Sequence, residues 1–286
     1  MDAALGVIFG ILSMLGYGLS NAISQVPAKK VGVTRTVFYR NLLIAPIIFI
    51  VLLFFLSSTT VSLTYILIAA GISIIGYIPL ATYVKAVKHG KVGVVTPISH
   101  SSLLVTVILS LIFFGEKLTA LQTIAIALIV LGVMLISINF RDFRKSHIFQ
   151  LSSGVPFAFI SCLLWGLVFF LIKIPANVIG PILTGVILET GVFVSSAVHL
   201  KILRKRFSLP PRELWKYIIP MGLLGVLGTV CYTLGLNYIN ISILAPITFS
   251  SPAIIALYGR VFYKEELEIK QYIAVALVVL GIVLIA

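Results

Sequence analysis

Four ionisable side chains lie within long apolar runs of this chain: Arg40, His100, Lys173 and Glu189. Such groups are costly in lipid and mark positions that face protein or water. Glu189 is the acid set deepest, roughly 12 Å from the start of its run at 1.5 Å per helical residue. A carboxyl so placed can exchange a proton or hold a cationic group; the structural alternative is a protonated or locally paired glutamate. Arg40 offers a guanidinium fork for an anion or carboxylate, or it snorkels to lipid phosphates from a site about one to two turns inside a basic segment. His100 is a possible proton relay near neutral pH or a satisfied interior histidine. Lys173 ends its run and is expected to snorkel, outside any site.

Neutral polar residues form a second set of candidates. Tyr17, Asn21 and Ser24 stand at i, i+4 and i+7 of the first run, one stripe that should face inward. Ser99, Ser102 and Thr106 have a similar spacing of i, i+3 and i+7, and Thr248 and Ser251 match Ser99 and Ser102 after a shift of 149 residues. These hydroxyls either line a solute path or bond helix to helix, as small polar residues do in bundles. Tyr17, Tyr83, Trp165 and Tyr232 pair a ring with a polar tip, which suits a mostly apolar cavity and equally a membrane-interface belt. Pro97 and Pro246 lie inside runs, where proline removes a backbone hydrogen bond and favours a kink. The carbonyls so freed can shape a helix or ligate a solute. Glu116 and Glu265 precede runs and complement a positive helix start, while Thr119 with Gln122 has capping-box spacing; structural roles are expected for all of them.

The elements that position these residues follow from composition. With 60% hydrophobic and 10% charged residues among 286, and a mean hydropathy of +1.19, the chain needs lipid as its solvent. The runs are long and do not alternate, so they predict helices and not barrel strands. Ten spans are expected near 4–25, 34–56, 63–86, 92–114, 119–139, 152–173, 181–200, 214–237, 241–263 and 268–286. The net charge of +13 resides in the short connecting segments, which points to membrane orientation and not to nucleic acid. Eighteen of the 21 Lys and Arg fall on odd-numbered segments and two on even-numbered ones, with Arg40 inside a span. The odd segments are therefore expected in the cytoplasm and both termini outside, in a multi-pass protein of the cell membrane. Cys162 and Cys231 lack metal-like spacing. The first helix follows Met1 and Asp2 without a basic leader and is expected to be retained.

A shift of 149 carries Tyr83 to Tyr232, Pro97 to Pro246, Glu116 to Glu265, Leu118 to Leu267, Gln122 to Gln271 and Gly132 to Gly281. In the first helix the shift is 148 and carries Tyr17-Gly18 onto Trp165-Gly166. The halves, 1–140 and 151–286 about a linker at 141–150, thus repeat one another. Five spans per half is an odd number, so the second copy must enter the membrane inverted, as in many secondary transporters. Basic residues change loops accordingly: Lys85, Lys88 and Lys91 follow span 3, whereas Asn237 and Asn240 stand at the repeat position.

In this duplicated order, Pro97, Gly115-Glu116, Leu118, Gln122 and Gly132-Val133 followed by Pro246, Glu265, Leu267, Gln271 and Gly281-Ile282, the chain resembles the EamA family of the drug/metabolite transporter superfamily over essentially its whole length. The aromatic-glycine pairs and Arg40 add to the resemblance. Two features depart from it: Lys264 replaces a glycine, and the family more often has cytoplasmic termini. The resemblance implies ten helices as two inverted five-helix repeats around a central cavity, and export of a small metabolite.

The expected function is therefore secondary active or facilitative transport of an amino acid-like or similar polar-apolar solute by alternating access. The partners would be a small-molecule substrate and membrane lipid but no nucleic acid, with the protein a monomer or homodimer. No HExxH, GxSxG or P-loop pattern occurs, so neither enzyme activity nor a cofactor is expected. The competing class is a polytopic receptor or assembly factor without transport.

Overall fold

In the computed structural model, which describes residues 2–89, 92–137, 154–205, 207–264 and 266–285, all regular structure among the described residues is helical. The helices are α1 (Asp2–Val31), α2 (Val33–Leu53), α3 (Leu63–His89), α4 (Val92–His100), α5 (Ser102–Phe113), α6 (Ala120–Ser137), α7 (Val155–Leu171), α8 (Lys173–Ile179), α9 (Pro181–Ile202), α10 (Trp215–Gly235), α11 (Ile241–Thr248), α12 (Ser251–Phe262) and α13 (Ile269–Ile285). A helix satisfies its own backbone, which lipid requires. Among the described residues, eight helical segments are long and apolar enough to cross a membrane, and the apolar helices Ile98–Phe113 and Ile269–Ile285 are shorter. Large apolar side chains such as Phe54, Ile112, Leu163 and Val283 remain exposed on the outside of the bundle, where lipid covers them. The linker 141–150, Glu265 and the second arginine of the 204–206 cluster, Arg206, lie outside the described residues.

The helix contacts are reproduced when the halves are exchanged. The packing of α1 along α10 is repeated by α7 along α3, α1 against α12 by α7 against α5, and α2 against α10 by α9 against α3; α2–α9 and α6–α13 map onto themselves. Individual atoms follow the same rule. Ser13 Oγ donates to the Gly228 carbonyl at 2.9 Å, and Ser161 Oγ donates to the equivalent Pro79 carbonyl, also at 2.9 Å.

Repeated glycines make these crossings close. A Cβ on Gly132 would stand 2.6 Å from the Ala274 carbonyl oxygen, and one on Gly281 would stand 2.7 Å from the equivalent Ala125 oxygen. Gly18 and Gly166 play the same part against the Ser251 and Ser102 carbonyls, at 3.2 and 2.8 Å. The glycine of each aromatic-glycine pair is thus a packing requirement, since dispersion is what holds helices together where lipid is as apolar as leucine.

The breaks in the short helices are equivalent too. The helix containing Pro97 ends at His100 and α5 restarts after Ser101; the helix containing Pro246 ends at Thr248 and α12 restarts after Ser250. Ser250 Oγ donates to the Pro246 carbonyl at 2.8 Å, so that oxygen serves the helix break. Thr119 and Gln122 form the reciprocal capping box, at 3.0 and 3.2 Å, and the Glu268 amide donates to Gln271 Oε1 at 2.9 Å in the second half. Lys264 adopts φ 55° where Gly115 has φ 63°. The departure from glycine therefore keeps the left-handed turn, at a cost of roughly 1–2 kcal/mol for a side-chain-bearing residue.

Two expectations are corrected here. Lys173 does not snorkel: its Nζ lies 2.6 Å from Glu116 Oε1, with the side chains 15% and 4% exposed. Glu116 does not serve the start of its own following helix; it accepts from the Ile241 and Ser242 amides at 3.1 and 2.9 Å, at the start of α11. Burial works against its ionisation, but the hydrogen bonds from Lys173 and Ser242 and the Lys173 charge outweigh it and hold the carboxyl below its usual range.

Gly281→Ala should lower the melting temperature in detergent, with an overpacking cost of about 1–3 kcal/mol. Gly71 has no atom within 4 Å of its added Cβ, so Gly71→Ala should be neutral or stabilising by up to about 1 kcal/mol through helix propensity. Equal shifts for the two would exclude the close crossing as the role of Gly281.

Candidate functional site

The interior of an apolar bundle tolerates a carboxyl only with donors around it. Glu189, 8% exposed on α9, has them. Asn41 Nδ2 on α2 donates to Glu189 Oε2 at 2.7 Å and also reaches the Glu189 carbonyl at 3.2 Å. Thr229 Oγ1 on α10 donates to Oε1 at 2.5 Å. Because the Thr229 proton is used there, the Tyr17 hydroxyl, 3.0 Å away on α1, must donate to Thr229. The result is a directed chain from Tyr17 through Thr229 to Glu189, drawing on helices of both halves.

Arg40 is next to Asn41 on α2 and half-buried, with its Nε buried and without a hydrogen-bond partner against Gly225 of α10. Arg40 and Glu189 form no ion pair within 4.0 Å, although both act electrostatically on the Tyr17 hydroxyl. Consecutive helical residues point about 100° apart, so Asn41 can bind the carboxylate while Arg40 does not.

A second group of sequence-singled residues meets around Tyr83. Its ring centroid lies 5.6 Å from that of Trp165 and 6.3 Å from that of His100, and its hydroxyl lies 3.1 Å from Thr96 Oγ1. The His100 and Trp165 rings stack at 6.5 Å. At the repeat-related place Tyr232 packs edge-on to Phe169 at 5.3 Å, and Phe169 to Phe249 at 4.4 Å. Phe249 is the repeat equivalent of His100. Tyr232 is fully buried, and its hydroxyl donates to the Phe169 carbonyl at 3.4 Å.

The hydroxyl residues divide. Ser99 donates to the Ala158 carbonyl at 3.4 Å, Thr106 to the Gly166 carbonyl at 3.0 Å, and Ser24 to the Asn21 carbonyl of its own helix at 2.7 Å. Ser102 and Ser251 are buried at the close crossings, and Thr248 is buried with its Oγ1 unpartnered. Asn21 is exposed, four residues beyond Tyr17 on the same side of α1. Helix-to-helix bonding thus absorbs Ser99 and Thr106, leaving Tyr17, Tyr83, His100 and Trp165 half-buried and Asn21 exposed.

Residues not singled out in the sequence complete the picture. Asn41 and Thr229 are ordinary polar residues in apolar runs, legible only once their separations of 148 and 40 residues from Glu189 are closed by folding. Tyr77 OH and His199 Nδ1 lie 2.6 Å apart, beside a cavity of about 40 Å³ bordered by Thr34, Val37 and Leu80. Among the described residues no cluster of His, Cys, Asp and Glu could hold a metal ion.

The EamA-like transporter family model matches residues 4–138 and again 152–286. The chain belongs to the EamA-like transporter family. That family lies within the drug/metabolite transporter superfamily, whose members are transporters and not enzymes, and this EamA chain is a multi-pass membrane protein. An uncharacterized protein of Methanocaldococcus jannaschii is 29% identical over 143 residues, which is 49% of this chain and 99% of that protein. A solved crystal structure of a protein shares the fold with a TM-score of 0.76 at 16% identity, covering 98% of this chain and 94% of its own.

Asn41→Ala should destabilise the protein by about 1–3 kcal/mol, since it strands a buried acceptor. Combined with Glu189→Leu, the cost should fall well short of the sum of the single changes. Additive losses in thermal unfolding would mean that the two side chains do not depend on each other.

Proposed function

We propose that this protein is a ten-span secondary transporter whose halves are inverted repeats and which moves a small polar-apolar solute, amino acid-like in character, by alternating access. The observation that carries this reading is the set of helix contacts that survives exchange of the two family repeats while enclosing a polar and aromatic interior. Five helical spans per half, with α4–α5, α7–α8 and α11–α12 each counted as one broken span, bring the total to ten. An odd number per half makes the second copy inverted. The half-length relative supports a five-span unit as the building block.

Asn21, Tyr83, His100 and Trp165 offer a solute two aromatic faces, an imidazole and an amide. Arg40 adds a cationic group with an unused donor at the edge of the Glu189 cluster. The breaks after Pro97 and Pro246 give each half a joint about which to rock. The 18-to-2 division of basic residues supports odd-numbered segments in the cytoplasm of a cell-membrane protein with its termini outside; the direction we assign is export. Glu189 at the end of the Tyr17–Thr229 chain is the group we assign to proton coupling, because its donors are neutral.

Thermal unfolding in detergent against amino acids, nucleosides, sugars, choline-like cations and drugs provides the test, as a ligand preferring the native state stabilises it by about RT ln(1 + [L]/Kd). One class should raise the melting temperature, and Trp165→Ala or Tyr83→Ala should abolish the rise. A flat panel at millimolar concentrations would favour a non-transporting receptor. With the solute in hand, vesicle uptake by Glu189→Gln should lose its dependence on a pH gradient; a full dependence would assign coupling elsewhere.

A further inference from the structure

We propose that Glu116 and Lys173 form a latch that shuts the bundle at the face opposite the basic segments. The inference rests on the ten-span transporter reading and adds to it a device for holding one end closed.

Glu116 belongs to the first half, in the connection between α5 and α6, yet its bonds go to the second half. One carboxylate oxygen takes Lys173 Nζ at 2.6 Å and the Ile241 amide at 3.1 Å; the other takes the Ser242 amide at 2.9 Å. A single side chain thereby ties α8 and α11, the short pieces of two broken spans. Lys173 Nζ also stands 5.1 Å from the Phe114 ring. Beneath this contact lies continuous apolar packing from Phe114, Ile172 and Ile241 to Phe169, Tyr232 and Phe249. The latch thus closes a plug that reaches the interior aromatics.

The repeat-related position on the opposite face lacks the lysine. The shift of 148 that relates the first helices places neutral Gln25 at the position of Lys173. No ion pair can form there on the pattern of Glu116 with Lys173. That end instead carries the basic segments, and the small cavity beside Tyr77 and His199 lies on the same side. A buried ion pair is strongly disrupted by loss of one partner, because the other is left as an uncompensated charge. The latch therefore opens as a unit, with water reaching both groups.

The test uses Cys231, 4% exposed and adjacent to Tyr232 in the plug, as the only thiol in a Cys162→Ala protein reconstituted in vesicles. A membrane-impermeant thiosulfonate is applied separately from each side. In the parent, labelling from the Glu116 face should be slow. Glu116→Gln and Lys173→Gln should each raise that rate roughly tenfold or more, as expected for a lost buried charge contact. Rates unchanged in both variants, with both proteins folded, would overturn the latch. If a variant does not fold, hydrogen exchange at the Ile241 and Ser242 amides in the other decides: faster exchange supports the latch, and parental protection rejects it. Labelling needs no solute, so a positive result beside a flat ligand panel would discard transport alone. A solute hit with unchanged labelling would discard the latch alone.

Discussion

No water is available in the hydrocarbon core to bond a stray polar group, and this one constraint orders the molecule. It makes the chain helical and confines polar side chains to places where a neighbouring helix supplies a partner. Ser13 and Ser161 spend their hydroxyls on carbonyls of the helix they cross, and Ser20 donates to the Met221 carbonyl at 2.8 Å. Glu189 obeys the same rule at higher stakes, since a carboxylate needs several donors. It draws them from α2 and α10, and through Tyr17 the chain extends to α1. The polar interior and the contact between halves are thus the same place.

The scaffold is symmetric and the chemistry is not. Glycine crossings, capping residues and helix breaks recur in both halves, because each copy must solve the same packing problem. Glu116 has a counterpart in Glu265, but the ionisable groups set within the spans do not recur. Arg40 stands where the second half has Glu189, His100 where it has Phe249, and Lys173 where the first half has Gln25. Duplication supplies two equivalent places, and the side chains installed there differ in charge. In the proposed site, a solute near the axis would meet an imidazole and indole on one side and a phenylalanine pair on the other. That difference allows a site between two similar halves to bind an asymmetric molecule in one orientation.

The sequence carried the parts of the fold that depend on local pattern. Apolar run lengths located the spans, the 149-residue shift located the equivalent positions, and the Thr119–Gln122 spacing located a helix start. Glu116 shows where local pattern misleads. An acid before a helix suggests a role at that helix, but the amides it binds belong to α11, 125 and 126 residues away. Lys173 looked like a snorkelling helix end because its partner is 57 residues upstream. Asn41 and Thr229 carried no signal at all, since an amide or hydroxyl in an apolar run is ordinary until a carboxyl is folded against it. Hydroxyl spacing was equally ambiguous: Ser99 and Thr106 share the stripe pattern of residues around a cavity, yet their bonds run to the backbone of α7.

Two inverted copies with identical sequences would give the inward-open and outward-open forms equal energy, because exchanging the halves interconverts them. On the proposed alternating-access reading, every difference between the copies biases that equilibrium. Neutral pairs such as Phe249 for His100 act through packing and solvation. A buried charge contact whose lysine is replaced by Gln25 at the repeat-related position acts more strongly, because a state that opens it must rehydrate two charges. A gap of only about 1.4 kcal/mol already sets the populations at ten to one. Solute binding can reverse such a bias only by the difference in its affinity for the two forms. If the Glu116–Lys173 contact acts as the proposed latch, its bias must lie within reach of what one small solute supplies, which limits its net strength. A pair held at the bundle end, with 15% of the lysine still exposed, meets that limit better than one at the centre, because water can take over both charges as the end opens.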